Sequence, residues 1–508
     1  MRFGKKISRR EMLKVFSLIP LAGVADRVRR RILDPGERLP NVLIIVFDAW
    51  SARHLTMYGY PRATMPNLEK FAQKATVFHK HYSAATFTVP GTASLLSGLH
   101  PWSHRAIALS SGGVLDRHTH HNILSAFTDS HSTLGYAQNV YADLFLYQFV
   151  HDLDVHVQSG AFDLKHRYIN DTLLFQNDAR VSFASFHDNI FQENRGFDAS
   201  LLLGTAFRLL KIRERSLMNL SYKDEYPRGL PYSSEQFLLR DVVDGVLGLL
   251  KNIDHSTFGY LHLFPPHGGY AFSKKFKHHF RDGWSPPEKP LHELAGGKSV
   301  DSLNLANEYY DEYLANWDDE LGALFDFLRD SGLLDNSYLV FTSDHGEIFE
   351  RGEAGHFTPL IYDALIHVPL IISRPGQTER QDVYSVTSSV DVLPTLAHVA
   401  GKPVPDWAEG KLLPLFGGTE EMDRSIFSMD AKSNSAFRPL NVFTVSMTKG
   451  NFRLTYYKYP SFTRFEFYNL EDDPEELHNL YPSQPAICLK MRDELLQKLS
   501  EVNKPFEK

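Results

Sequence analysis

The chain has 508 residues, long enough to bury one large α/β domain and a smaller second one. A formal net charge of −7, from 54 basic and 61 acidic side chains, gives no basis for nucleic acid as a partner. The single cysteine, Cys488, excludes an intramolecular disulfide and a multi-cysteine metal site, and its simplest use is as a small buried apolar side chain.

The first motif is SRREMLK, Ser8 to Lys14, which sets Arg9 and Arg10 ahead of the apolar run VFSLIPLAGVA. That run falls short of the roughly 18 apolar residues of a membrane-spanning helix. The segment resembles the bacterial twin-arginine export signal, with Leu13 and Lys14 also in place and a cleavage site at Gly23 to Ala25. The resemblance implies the twin-arginine export machinery as a partner and an exported chain, in the periplasm or at the cell surface. Residues 1–36 are therefore set aside as signal and linker. Nothing later is long and apolar enough to span a membrane, so the mature chain is expected to be soluble.

Val42 to Phe47 (VLIIVF) is apolar at every position, the pattern of a strand buried on both faces of a parallel sheet, and it runs into Asp48. TVPGTASLLSG follows at Thr88 to Gly98. Pro90 and Gly91 precede a helical turn, so Thr88 sits near a helix N-terminus, beside unpaired N–H groups that attract anions and favour a developing alkoxide. A threonine there also serves as a helix cap, the commoner use of this residue. From about Ser110 to Lys251 landmarks are few. The three histidines of DRHTHHN, Asp116 to Asn122, read as solvated loop residues, and the stretch is expected to supply the substrate pocket.

Phe258 to Leu263, Tyr338 to Thr342 and Val368 to Ile372 read as further buried strands. The first leads to PPHGGY with His267, and the second to SDHGE with Asp344, His345 and Glu347. His356, in GEAGHF, precedes the third. Between them Ala306, Tyr310, Tyr313, Trp317, Leu321, Leu324 and Leu328 recur at helical spacing, with Gly332 as terminator. After Phe416 the pattern changes: Asn441 to Met447, Phe452 to Tyr457 and Arg464 to Asn469 read as strands joined by turns, and Leu489 to Leu499 as a closing helix. The whole predicts an α/β fold, a mainly parallel sheet sandwiched by helices over residues 37–416, with further strands and a closing helix over 417–508.

Ligands of such sheets gather at the carboxyl ends of the strands. Asp48, Thr88, Asp344 and His345 would there form one oxygen-and-nitrogen ligand set for a divalent metal, which makes Thr88 a nucleophile rather than a cap.

From about Asn41 to Leu480 these motifs, in this order, resemble the sulfatase branch of the alkaline phosphatase superfamily. TVPGTASLLSG is similar to the active-site signature CxPSRxxLLTG, with Thr88 in the nucleophile's place. YGYPRATMPNLEKFA (Tyr58 to Ala72), SDHGE, VTSSVDVLPTLAHVAG and FYNLEDDPEELHNL (Phe467 to Leu480) resemble further family stretches. The resemblance implies a small antiparallel sheet plus helix over 417–508 beside the main domain, metal ligation by Asp48, Thr88, Asp344 and His345, His267 facing the transferred group, His356 at a downstream lysine or histidine position, either histidine protonating or orienting the leaving oxygen, and Glu347 supporting the site without binding the ion. Ala49 replaces an adjacent aspartate and Thr92 an arginine. One divalent ion is implied; His345 puts manganese and zinc beside calcium, and a second metal, on His262, His267 and His356, is the less favoured arrangement.

Family members usually convert cysteine or serine to formylglycine; threonine is not a substrate, so no formylglycine is expected. Thr88 resembles instead the nucleophile of the superfamily's phosphodiesterases and phosphoglycerol and phosphoethanolamine transferases. The expected function is an exported, metal-dependent hydrolase that cleaves a phosphate or sulfate ester through a covalent Thr88 intermediate, with phosphoryl chemistry favoured. Its substrate would be a small molecule or the ester of a glycan or lipid headgroup. A headgroup transferase and a non-catalytic binding protein on the same fold are the alternatives.

Overall fold

A computed structural model describes residues 39–164 and 201–507. The twin-arginine segment and part of the substrate region lie outside the described residues. Among those described, no helix is long and apolar enough to cross a membrane.

The strands in chain order are β1 (Asn41–Phe47), β2 (Thr76–Phe78), β3 (His81–Tyr82), β4 (Ser132–Ala137), β5 (Val155–Val157), β6 (Thr257–Leu263), β7 (Ser337–Thr342) and β8 (Ile348–Glu350). They continue as β9 (Glu353–Gly355), β10 (Leu370–Ser373), β11 (Gln381–Val383), β12 (Thr387–Ser388), β13 (Ser425–Asp430), β14 (Phe443–Lys449), β15 (Phe452–Tyr459) and β16 (Phe462–Asn469). Eight of them form the main sheet in the order β11-β2-β10-β7-β1-β6-β4-β5. All pairings in it are parallel except those of β10, which runs antiparallel to β7 and β2. The segment expected as a parallel strand at Val368 to Ile372 is thus reversed, because an apolar run signals burial on both faces but carries no direction.

β1 explains the layered build. Leu43, Ile45 and Phe47 enter one core with Trp317, Leu321 and Leu324 of the helix Val300–Asp330. Val42, Ile44 and Val46 enter the other, with Leu95 and Leu96 of the helix Thr88–Ser97 and Leu393 of the helix Val392–Val399. Alternate side chains of a strand point to opposite faces, so a helix layer on each side demands apolar residues throughout. Each fully buried Leu, Ile or Phe contributes about 1.5–3 kcal/mol. The long helix starts where Ser299 accepts a hydrogen bond from the Ser302 amide, and stops before Gly332, whose φ of 72° leaves the helical region.

The antiparallel sheet β13-β14-β15-β16 forms the second unit, covered by the helix Ala486–Asn503. Its first strand, SIFSMD, is half polar and escapes the sequence reading. Cys488, Met491 and Leu495 share a core with Met447, Leu454 and Phe467 of this sheet and with Trp102 and Ile107 of the main domain. Arg453 on β15 is fully buried and reaches Asp363 at 2.9 Å and Glu476 at 3.0 Å, and the Met429 amide donates to the Ala84 carbonyl at 2.9 Å. The two sheets are therefore bound through a common core and a buried ion network.

His81, His100 and His104 are buried in this frame, and burial pushes each imidazole down, His81 to about 3 and His100 to about 4. The unfolded chain takes up these protons near pH 6.5 and the folded chain does not. Stability is therefore full above about pH 6.5 and falls below it by about 1.4 kcal/mol per histidine per pH unit. Urea midpoints measured at pH 7 and pH 5 are expected to drop accordingly; an unchanged midpoint would mean that the folded chain carries these imidazoles charged.

Candidate active site

Register brings four strand ends to one level. Ala137 of β4 pairs with His262 of β6, His262 with Val46 of β1, and Val46 with Thr342 of β7. The chain just beyond, or at, each end then converges: Asn139 after β4, His262 on β6, Asp48 after β1, Asp344 and His345 after β7. The helix Thr88–Ser97 meets them with Thr88 as its first residue and Phe87, not Thr88, as its N-cap. Pro90 in this first turn has no N–H to leave unpaired, while the amides of Thr88 and Val89 have no partner within the helix. Gly91 permits the approach: a Cβ there would stand 2.4 Å from the Asp344 carbonyl oxygen.

Asp48, His262, Asp344 and His345 are fully buried, and Thr88 and Asn139 nearly so. Asn139 Nδ2 donates to Asp48 Oδ2 at 2.6 Å and lies 3.4 Å from Thr88 Oγ1. His345 Nδ1 donates to the Gly346 carbonyl, which turns Nε2 toward the cluster, 3.2 Å from Thr88 Oγ1, 3.4 Å from Asp48 Oδ1 and 3.6 Å from Asp344 Oδ2. His262 Nε2 lies 3.4 Å from Asp48 Oδ2 and 3.8 Å from Asp344 Oδ2, while its Nδ1 meets the Tyr260 hydroxyl at 2.9 Å.

The charges are strongly coupled. Burial and then the neighbouring Asp48 raise Asp344 above the usual carboxylate range. Burial works the same way on Asp48, but His267, His262 and His345 outweigh it and hold that carboxyl well below. His345 resists its own burial through Asp344 and Asp48 and is raised to about 9.

Asp48 Oδ1 and His262 Nε2, both buried, make no close hydrogen bond, their nearest polar contacts being the 3.4 Å approaches between the imidazoles and Asp48. Asp48, His262 and Asp344 each offer a ligand atom, all within 4.8 Å of one another. Such donors are costly in a dry interior unless a cation joins them, so the residues present fit a divalent ion.

A rim of imidazoles covers this floor. Buried Glu347 accepts from His356 Nδ1 at 3.2 Å; burial would raise this carboxyl, but His356 and the other imidazoles hold it below its ordinary value. The His356 ring lies 4.6 Å from that of His267 and 4.5 Å from that of His345. Burial pushes His267 down to about 4, against the pull of Asp48.

Every residue expected at the site lies in or on this cluster. The arrangement of His262, His267 and His356 as a second metal set does not form among the described residues: His262 belongs with Asp48 and Asp344, and the other two pair at the rim. Asn139 and the support of His262 by Tyr260 escaped the sequence reading. His262 is the one imidazole in an otherwise apolar strand end, a signal that only the register with β1 makes readable. In DRHTHHN, His118 pairs with His121 and His121 stacks on Trp407, and none joins the cluster.

A mainly parallel sheet between helices, with carboxylates, imidazoles and a helix-borne hydroxyl at its carboxyl end, defines an alkaline phosphatase-like α/β protein. The Sulfatase family model matches residues 40–402, and the model for the N-sulphoglucosamine sulphohydrolase C-terminal region matches 352–504. The chain belongs to the sulfatase family, in the alkaline phosphatase superfamily of hydrolases. It is 23% identical to arylsulfatase K of Bos taurus, covering 93% of this chain and 84% of that protein. It is 25% identical to the multifunctional alkaline phosphatase superfamily protein PehA of Trinickia caryophylli, over 91% of this chain and 94% of the relative. A choline-sulfatase of Rhizobium meliloti (strain 1021) is 23% identical over 87% of this chain and 82% of that protein. Among solved structures, the phosphonate monoester hydrolase of Agrobacterium radiobacter is similar in fold, with a TM-score of 0.64 at 18% identity, covering 91% of this chain and 96% of the other.

A methyl group added at Gly91 must displace either the helix or the Asp344 carbonyl. Gly91→Ala is expected to lower stability by about 1–3 kcal/mol, read by denaturant unfolding, and to cut turnover at least tenfold, as Thr88 moves. Unchanged stability and turnover would mean that the helix does not lie against Asp344.

Proposed function

We propose that the chain is an exported metal-dependent ester hydrolase that works through a covalent intermediate on Thr88, and that phosphate esters are its preferred class. The observation that carries this reading is the position of Thr88 Oγ1, on the first turn of a helix, 3.2 Å from His345 Nε2 and beside the buried cluster of Asp48, His262 and Asp344, whose ligand atoms lie within 4.8 Å of one another. Export rests on the Arg9 and Arg10 motif.

Asp48, His262 and Asp344, with His345 and Thr88 beside them, would hold a divalent ion, which when bound supplies Lewis-acid activation of the hydroxyl and neutralises charge on the transferred group. Two imidazoles among the donors favour zinc or manganese over calcium. The Tyr260 hydroxyl engages His262 Nδ1 and so turns Nε2 toward the carboxylates, where it would serve as the ligand atom with Nδ1 carrying the proton. Asn139 fixes Asp48 and the Thr88 hydroxyl together.

The Thr88 hydroxyl loses its proton to solvent and Oγ attacks phosphorus in line; the new Oγ–P bond forms as the bond to the leaving oxygen breaks. The amides of Thr88 and Val89 stabilise charge on the transferred oxygens. His356 has Nδ1 engaged by Glu347, leaving Nε2 to protonate the leaving oxygen. His267, neutral at pH 7 because burial pushes it to about 4, orients the substrate instead. Water then attacks phosphorus, giving its proton to His356 Nε2, and the Oγ–P bond breaks as Thr88 Oγ takes a proton back from solvent. Threonine favours phosphorus because it cannot form the aldehyde hydrate through which formylglycine releases sulfate. The likeness to a phosphonate monoester hydrolase supports phosphorus chemistry, and that to arylsulfatase K and choline-sulfatase keeps sulfate esters as the competing class.

Rapid-quench mass spectrometry on aryl phosphate, bis-aryl phosphate and aryl sulfate substrates is expected to find a phosphate adduct on the Thr88 peptide, resolved from sulfate at high mass resolution. Thr88→Ala is expected to lose the adduct and about a thousandfold or more of turnover; full activity in that variant would rule out the covalent route. Tyr260→Phe, which keeps the ring, is expected to weaken metal affinity by about 10–100-fold, measured by competition with a chelating dye.

A further inference from the structure

A second cluster lies on the long helix Val300–Asp330. Glu308 and Glu312 are four residues apart on one face of it, and His278 comes from the loop that follows Lys274–Phe276. A ring nitrogen of His278 and a carboxylate oxygen from each glutamate lie within 4.8 Å of one another. His278 is exposed and holds a left-handed φ of 66°, Glu308 is half-buried, and Glu312 is fully buried.

The neighbouring residue shows what Glu312 lacks. Asp311, equally buried, is met by Arg62 at 2.9 Å, His54 at 2.7 Å and the Tyr60 hydroxyl at 2.6 Å. Neither carboxylate oxygen of Glu312 makes a close hydrogen bond, and only the His278 and His279 amides approach it, while Glu308 Oε1 is without a partner. Arg228 stacks over the Tyr309 ring at 3.5 Å and makes no ion pair with Glu312 among the described residues. Two carboxylates at close quarters, one out of water and met by backbone amides but by no cation in contact, are costly, and a cation between them relieves both the repulsion and the desolvation.

We infer that His278, Glu308 and Glu312 form an accessory site for a divalent transition cation, zinc or manganese, separate from the Thr88 cluster. One imidazole and two carboxylates are a donor set suited to those ions. The ion ties the loop after β6 to the long helix. Arg62 already ties the same loop through the Phe280 and Trp284 carbonyls and Asp282. Trp284 of the loop and Asn304 and Asn307 of the helix line a cavity of about 500 Å³, so the ion braces one wall of it.

Metal-free full-length protein is to be titrated with zinc or manganese and the bound metal counted by elemental mass spectrometry after desalting. Two equivalents are expected in the wild type and one each in His278→Ala, Glu312→Gln and Asp48→Asn. In the Asp48→Asn background the remaining ion is expected to raise the melting temperature, and adding His278→Ala is expected to abolish that rise. His278 is exposed, so its removal does not threaten folding. Two equivalents in His278→Ala, or none in Asp48→Asn, would overturn the site: Glu312 would then be simply a protonated, neutral acid. The Asp48→Asn arm keeps this outcome separate from any failure of the Thr88 cluster to bind metal.

Discussion

Two carboxylates buried on neighbouring strand ends, Asp48 and Asp344, set the terms for everything around them. Like charges in a medium of low dielectric repel strongly, and each also loses its hydration. The chain answers with an amide from Asn139, imidazoles from His262 and His345, and a helix N-terminus at Thr88. None of these groups could be so close without apolar strands that exclude water and a glycine that lets the helix reach the Asp344 backbone. The ordinary requirements of core packing therefore create the electrostatic tension that the site uses.

The imidazoles above that floor differ because their partners differ. His356 is tethered to an anionic Glu347, while His267 sits against Phe264 and His356 with Nδ1 unpartnered. Similar rings thus lend themselves to different tasks, proton donation for one and orientation for the other. The floor and the rim come from different parts of the fold. The floor rides on strands whose register is fixed by hydrogen bonds, and the rim on loops, which suits a fold whose substrates vary more than its chemistry.

Much of this is legible in the chain because burial and strand-end chemistry leave local marks. VLIIVF has to be a strand covered on both faces, and Asp48, Asp344 and His345 stand where such strands stop. Thr88 precedes a proline and a glycine that suit only a tight helix start. What stays hidden depends on register and direction, which no periodicity encodes. His262 looks like an odd polar residue in an apolar strand until β1 is laid beside it. Asn139 lies in a stretch with no motif, and it matters only because β4 pairs with β6. β10 reverses for want of any directional signal, and β13 was missed because half its side chains are polar.

The bond between the two sheets bears on when the site can exist. The Ser428 hydroxyl and the Met429 amide grip the Ser83 and Ala84 carbonyls, on the segment that delivers Thr88. Arg453, from later still, locks Asp363 in the main domain. A ribosome releases residues in order, so the approach of Thr88 to the cluster is braced only after the last strands have emerged. The cluster is encoded early and finished last, and a chain interrupted near its end would carry every residue of it without the frame that aims them.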